Sequence, residues 1–454
     1  MKKIVTLLIC LIVPGVMVPD VFARENPEEP VYSEEKNYSL GIGNALLSNL
    51  ALFSVNRFIG QTEFSKISFE SIHNNLTGPW QWDRSMFLVN QLGHPYQGYA
   101  YYAAARANNL NAFESSLVAA LGSYTWEVFG ERATAAVNDF VVTTAGGISL
   151  GEMLHRIYLD TYTENQLLAT FISPMDGFND LVSGNKQRPT HSMIRNASLS
   201  FGGGYVGTQH YRNNEKYDRN SYHTGTGSMG IDLGYGDPFV SRTSSVFSHF
   251  DLQFFLEGGY DWYNLVLISD GALFSASPRP QEHSWTSYGL HLHYDVFSGT
   301  LMDFSGNSLT LTMQHERHTA SGSVFKLKAH AGCLIFGSST FLRFEADPSK
   351  KAVERRDYGA GAASKLRMSW DFPRAGNISM QTAGYLMTTL PNTVSGSDGN
   401  LLFSRSTLAW KYPLNGTTSV GAANTLSWKK TDRDYLPDQN KRVYNTSVFM
   451  EYKL

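Results

Sequence analysis

The chain has 454 residues, of which 17% are charged and 13% aromatic, with 40 glycines and a formal net charge of −3. That length admits two domains or one large barrel with an attachment. Low charge with many aromatics is unusual for a soluble enzyme of this size, and the near-neutral balance excludes a basic surface for nucleic acid.

Residues 1–23, "MKKIVTLLICLIVPGVMVPDVFA", read as a secretory signal peptide. Lys2 and Lys3 supply the positive start, Ile4 to Val18 the apolar core, and Ala23 a small residue suited to cleavage. Cys10 lacks the small residue before it that a lipoprotein signal needs, so a lipid anchor is excluded. Cleavage leaves one cysteine, Cys333, and no internal disulfide. Residues 24–40 are polar, acidic and proline-containing, the composition of a disordered linker. No later apolar run of ~18 residues is read from the sequence, so no transmembrane helix is expected.

Residues 41–165 have helical spacing. Asn44 to Phe58 is the first helix. "TGPWQWD" (Thr77 to Asp83) is a turn. Pro95 suits the first position of a helix, where its missing N–H is unneeded, which places His94 at the cap. Asn108-Asn109 breaks that helix. A second runs from Asn111 to Ala136 and a third from Leu150 to Tyr162, preceded by a glycine-rich turn. Arg106, Glu114, Glu127 and Glu131 make these helices too polar to span a bilayer.

From Ile194 onward the period becomes two. In "SHFDLQFFLEGG" (Ser248 to Gly259), Phe250, Leu252, Phe254 and Leu256 oppose His249, Asp251, Gln253 and Glu257, with Phe255 the apolar intruder. The same alternation recurs in "SYGLHLHYD", "LTLTMQHE", "VFKLKAHAGC" and "SKLRMSW". A sandwich alternates with its apolar face inward, a membrane barrel with that face outward. Strands of ~10 residues and aromatics near their ends (Tyr260, Trp262, Trp285, Trp370, Trp410, Tyr412, Trp428) favour the barrel. The fold class is therefore mainly β: an antiparallel transmembrane β-barrel of about twelve strands over 190–454, preceded by a small α-helical domain. The final strand, "YNTSVFMEYKL", resembles the C-terminal strand of bacterial outer-membrane proteins, with Leu454 in place of the usual phenylalanine. That resemblance implies an outer-membrane location, contact with outer-membrane lipid and recognition by the barrel-assembly machinery through this strand.

The helices hold the chemistry-bearing side chains. His94 is a candidate general base, with Glu127 and Glu131, four apart on one helical face, to orient it. Asp83, Asn90, Arg106, Asp139, Glu152 and Arg156 are candidate binding residues. His94, Glu127, Glu131, Glu152 and His155 are metal-ligand types. Di-iron bundles, however, need two Glu-x-x-His helices, and only Glu152/His155 has that form. No metal and no cofactor is therefore expected. The structural alternative is a buried polar network: His94 pairs Glu127 or Glu131, Arg106 pairs a carboxylate, and Asp139 caps the glycine-rich turn. In the barrel, His291, His293 and Asp295 share one strand face and point into the lumen, beside Glu316 and Lys326 if strands pair in order. They are candidates for a metal or proton-handling site, or for a plain polar network.

"WQWD", "NQLGHPYQG", "AAARANN", "SYTWEVFGE", "NDF" and "GGISLGEMLHR" together resemble the bacterial family called domain of unknown function 3943, from Asn44 to Tyr162. In that family a helical region precedes an outer-membrane barrel, and no activity is established. The resemblance emphasises Trp82, Asp83, Asn90, His94, Pro95, Gly98, Arg106, Trp126, Glu127, Glu131, Asn138, Asp139, Glu152 and Arg156. Three roles follow as expectations. The first is an outer-membrane barrel whose helical module is a periplasmic cap, plug or binding element for another envelope protein. The second is an envelope lipid- or cell-wall-acting enzyme using the His/Glu cluster. The third is a channel or transporter.

Overall fold

A computed structural model describes residues 35–83, 86–183, 193–213, 215–216, 222–240, 245–278, 282–344, 353–391, 393 and 398–454. The expected signal segment and linker residues 24–34 lie outside them. The chain divides into a helical unit that ends at Met193 and a β unit that starts at Ile194.

In the helical unit, α1 (Tyr38–Ser54) starts where the Asn37 side chain accepts the Leu40 N–H, so helix replaces the last linker residues expected from sequence. A π-turn, Val55–Ile59, extends it. The 22-residue stretch Tyr38–Ile59 is long and apolar enough to cross a membrane by length and composition, contrary to the expectation of no such run. It leaves Leu46, Leu47, Leu50, Val55, Phe58 and Ile59 exposed. Next come α2 (Phe69–Thr77), α3 (His94–Arg106) and α4 (Ala112–Phe129). Asn111 and Glu114 form a reciprocal capping box at the start of α4, and Gly130 ends it. Finally α5 (Val137–Tyr162), α6 (Gln166–Ile172) and α7 (Pro174–Ser183) follow, the last two beyond the expected end at 165.

His94 opens α3 next to its N-cap residue Gly93, with Pro95 in the first turn, as expected, but the chain before it is not a plain cap. A π-turn, Val89–Gly93, leads directly into α3, and Gly93 before His94 already has helical dihedrals. The His94 N–H bonds to the Val89 carbonyl, so the wider turn accommodates Pro95, which has no N–H to give. The glycine-rich segment is not a turn either; it lies inside α5. A Cβ on Gly98 would sit 1.9 Å from the Thr143 carbonyl oxygen, and one on Gly147 would sit 2.5 Å from the Gly98 carbonyl carbon. Those glycines are where α3 and α5 touch backbone to backbone. This close contact buries Tyr99, Tyr101, Tyr102 and Ala103 to Ala105 on α3.

The β unit has twelve long strands among the described residues: β1 (Ile194–Arg212), β2 (His223–Tyr235), β3 (Phe250–Gly259), β4 (Trp262–Ala276), β5 (Ser284–Gly299), β6 (Phe304–His318), β7 (Val324–Phe344), β8 (Val353–Phe372), β9 (Gly376–Thr389), β10 (Gly399–Pro413), β11 (Thr418–Arg433) and β12 (Gln439–Lys453). A two-residue ribbon, Glu215–Lys216, extends the first hairpin. Each strand pairs antiparallel with its sequence neighbour. β1 also pairs with β12 from Ser198↔Lys453 to Arg212↔Gln439, which closes the barrel.

The alternation resolves as an outward apolar face. Phe201, Ile231, Leu256, Leu311, Ile378, Met380, Leu386, Leu408, Val448 and Met450 are all exposed, on strands spread around the barrel. The lumen-facing row instead holds buried His291, His293, Asp295, Thr310, Thr312 and His330. This is the surface of a transmembrane barrel, apolar toward lipid and polar within. Trp370, Trp410, Tyr412 and Tyr452 are exposed near the rim where the chain enters and leaves. Trp262 and Trp285 differ from the expected girdle. Trp262 is buried in the lumen's apolar cluster, and Trp285 lines the lumen cavity.

Leu311 lies mid-strand and 72% exposed. Leu311→Arg is expected to lower the folding free energy in lipid bilayers by about 2–4 kcal/mol, read by urea titration of the folded, fast-migrating gel form.

Candidate functional site

The helical unit carries two buried charge clusters. In the first, the Glu127 carboxylate accepts the Ala136 N–H at 2.8 Å, and Glu131 accepts the Trp126 indole N–H at 2.7 Å. His94 Nδ1 lies 3.2 Å from the Thr143 hydroxyl and its Nε2 lies 3.8 Å from Asp139. Asp139 also accepts from the Asn138 amide, and the Asn90 amide donates to Asp83. His94 is thus placed against Asp139 and Thr143, with Glu131 near enough to feel its charge. Asp139, in the first turn of α5, does not cap a turn. Burial pushes the Glu127 carboxyl well above the usual carboxylate range, and the negative charges of Asp139 and Glu131 add to the effect. Burial also raises Glu131, with His94 pulling the other way.

The second cluster centres on Glu152, which is fully buried. Arg106 donates to both its oxygens at 2.7 and 3.2 Å, Arg156 donates at 2.8 Å, and the Tyr102 hydroxyl at 2.8 Å. Burial alone would raise its carboxyl. The Arg106 and Arg156 charges outweigh burial and hold it well below the usual range. His155, three residues on, bonds instead to Asp176 at 2.6 Å, and Asp176 accepts from Ser173 at 2.5 Å. Glu152 and His155 therefore serve separate networks and do not form a shared Glu-x-x-His site. The Asp176 and Ser173 partners were missed because they sit on and before α7, which periodicity did not reveal.

In the barrel the lumen has three levels. At the rim where the chain enters β1 and leaves β12, a cavity of about 790 Å³ is lined by Arg195, Asp232, Asp251, Glu316, Lys326, Lys328, Arg367, Lys411 and Glu451 among others. Below it lie His249, His291, His293 and His330, all buried, around Asp270. Asp295 is held by Lys365 at 2.6 Å and the Tyr385 hydroxyl at 2.7 Å. Toward the opposite rim the lumen is apolar: Phe297 and Phe304 each have ring centres 4.8 Å from Phe403, and Phe304 is 4.7 Å from Tyr385. Leu301 and Met302 fold inward and join this cluster. Lys441 donates to the Leu301 carbonyl at 3.0 Å and Lys429 to that of Asp303 at 3.4 Å. The space beside this cluster is only about 20 Å³.

The expected neighbours of His291 and His293 also need correction. Strand register puts Thr310 opposite His291, whereas Glu316 pairs with Trp285 and bonds Lys326 at the cavity wall. The actual partners are Asp270 on β4, which Lys328 and His330 on β7 also bond, the His330 ring itself, and Lys365 on β8. Asp270 carried no sequence signal, because "LVLISDGALF" reads as an apolar run with one acidic interruption.

Fold and sites together define a transmembrane β-barrel protein with an N-terminal helical module. The family model of a domain of unknown function (DUF3943) matches residues 79–175 of that module. The match takes in His94, both charge clusters, and the start of α7. No curated protein matches the chain by sequence. By structure it is similar to an outer membrane channel from Pseudomonas putida F1 (8% identity, 59% of this chain and 97% of that one, TM-score 0.31). It is also similar to the outer membrane protein Omp33 of Acinetobacter baumannii (10% identity, 58% and 100%, TM-score 0.21). At such scores the barrel assignment rests on strand closure and the outward apolar face.

Because the folded-state affinity of Glu127 for its proton is raised, its favourable contribution is full below the ordinary carboxylate range and is lost as pH rises through the raised value. Glu127→Gln keeps an acceptor for Ala136 and removes the ionisation. It is expected to raise the melting temperature of the helical circular-dichroism signal at about pH 8, with the gain vanishing at about pH 4. An equal gain at both pH values would contradict this.

Proposed function

We propose that this is an outer-membrane β-barrel protein that does not conduct at rest, with the helical module in the periplasm as a lipid- or partner-binding element. The observation that carries this reading is the lumen itself. A polar cavity enters from one rim, a buried histidine cluster closes the lumen beneath it, and a packed aromatic layer fills the lumen beyond. A barrel of about twelve strands has little interior beyond its own side chains, whereas open channels belong to barrels of about 16 strands. An even number of strands puts both chain ends at one rim, the periplasmic one in outer-membrane barrels. C-terminal strand β12 offers the exposed Tyr452 and Leu454 to the barrel-assembly machinery. In the helical module, the exposed leucines and phenylalanine of α1 and its π-turn suit a lipid surface or an apolar envelope partner.

Two other readings have an observation in their favour. The inward fold of Leu301 and Met302, tied by Lys429 and Lys441, would suit a channel gate. The raised proton affinity of Glu127 would suit an acid–base enzyme.

Planar-bilayer recordings separate the first two. The full-length protein is expected to show no steady conductance, and Phe297→Ala/Phe403→Ala to introduce one. Equal conductance from both would favour a channel. A deletion strain tests the enzyme: Glu127→Gln and His94→Ala that fold and export normally are expected to restore its phenotype. Failure of both to restore it would assign the cluster a chemical role.

A further inference from the structure

We propose that the buried histidine cluster of the lumen is a binding site for a divalent d-block cation, held by Asp270, His293 and His330. One ligand atom from each of these three lies within 4.8 Å of the others. His293 Nδ1 and His330 Nε2 stand 3.9 and 3.4 Å from the Asp270 carboxylate. Imidazole nitrogen with one carboxylate selects zinc-like ions over calcium or magnesium, which prefer all-oxygen sites.

The orientation of the rings supports this independently of their proximity. The far nitrogen of each histidine is fixed by its own threonine: His293 Nε2 by Thr310 at 2.7 Å and His330 Nδ1 by Thr312 at 2.8 Å. Fixing one ring nitrogen by an outer hydrogen bond while the other faces the ligand set is how metal-binding histidines are held. The tautomer also fits. Lys365 donates to His293 Nδ1 at 2.9 Å, and an ammonium can only donate, so that nitrogen carries the lone pair. His291 also contacts this carboxylate: its Nδ1 bonds Asp270 at 2.5 Å, while its buried Nε2 has no hydrogen-bond partner among the described residues.

Two lysines stand where the cation would enter. Lys328 bonds Asp270, and Lys365 bonds His293. Each has a second carboxylate to remain with: Asp251 at 2.7 Å for Lys328 and Asp295 at 2.6 Å for Lys365. A cation therefore displaces them without leaving a buried ammonium unpaired. Lys328, which bonds Asp270, also lines the cavity beside Asp251 and Gln314, so the cluster lies one side chain behind the cavity wall. Binding here does not depend on whether the barrel conducts.

The test uses untagged full-length protein in detergent, stripped with a chelator and titrated with Co²⁺. One Co²⁺ per chain is expected, with visible absorption bands lost on adding Zn²⁺ and unaffected by Mg²⁺. Asp270→Asn and His293→Gln/His330→Gln should weaken binding by more than about 100-fold, and Thr310→Val/Thr312→Val by about 10–100-fold. His315→Gln, at a histidine bonded to Thr286 outside the ligand set, should change nothing. Fast gel migration before heating verifies each variant's fold. X-ray absorption of the Zn²⁺-loaded wild type, which needs no variant, should show two imidazole shells. Absence of stoichiometric Co²⁺, undiminished binding by folded His293→Gln/His330→Gln, or a zinc spectrum without imidazole would each overturn the proposal.

Discussion

The constraint on which the β unit depends is that a backbone N–H or C=O facing lipid has no water to bond. An open sheet in a bilayer leaves two unpaired edges, and each unpaired group costs several kcal/mol. The fifteen-residue register between β1 and β12, Ser198↔Lys453 through Arg212↔Gln439, removes both edges. Once the sheet is closed, alternation has only one arrangement: Leu311 and its like meet lipid, while Thr310, Thr312, His291 and His293 must satisfy one another inside. The narrow lumen then fills with its own side chains. Its contents sort by level, from a charged cavity at one rim, through the Asp270 histidine cluster, to the aromatic layer of Phe297, Phe304 and Phe403.

The helical unit meets the same requirement for burying polar groups, by close helix contact. Gly98 and Gly147 let α3 and α5 touch backbone to backbone, and this brings ionisable side chains into the interior. There they take two opposite forms. Glu152 is surrounded by donors from Arg106, Arg156 and Tyr102 and stays ionised. Glu127 accepts the Ala136 N–H, and burial with the nearby carboxylates of Glu131 and Asp139 raises its affinity for a proton. One carboxyl is thus matched by cations and the other is not. Both lie within the part of the chain that matches the family model.

Much of the barrel was legible from sequence because period two is a direct consequence of strand geometry. The inward set Thr310, Thr312, His291, His293, Lys328 and His330 was readable strand by strand. Which members meet was not, because that depends on register and on bulges such as the shift between Ala272 and Phe274. Glu316 and Lys326 were therefore placed beside His291, while Asp270 was overlooked. In the helices, residue types pointed to the cluster and to Arg106 pairing a carboxylate, which is Glu152, but not to the Asp139 and Thr143 contacts of His94. Local rules assign proline to helix starts and paired glycines to turns. Here the π-turn at Val89–Gly93 accommodates Pro95 within a continuous helical run, and the glycines serve tertiary contact instead.

A lumen that opens at one rim and ends inside the membrane is most directly tested by labelling single cysteines in a background lacking Cys10 and Cys333. In proteoliposomes, a membrane-impermeant maleimide should modify Lys326→Cys from one side only, and should leave Phe403→Cys unmodified from both sides until the protein is unfolded. Rapid modification of Phe403→Cys in the folded protein, or of Lys326→Cys from both sides, would contradict a blind lumen.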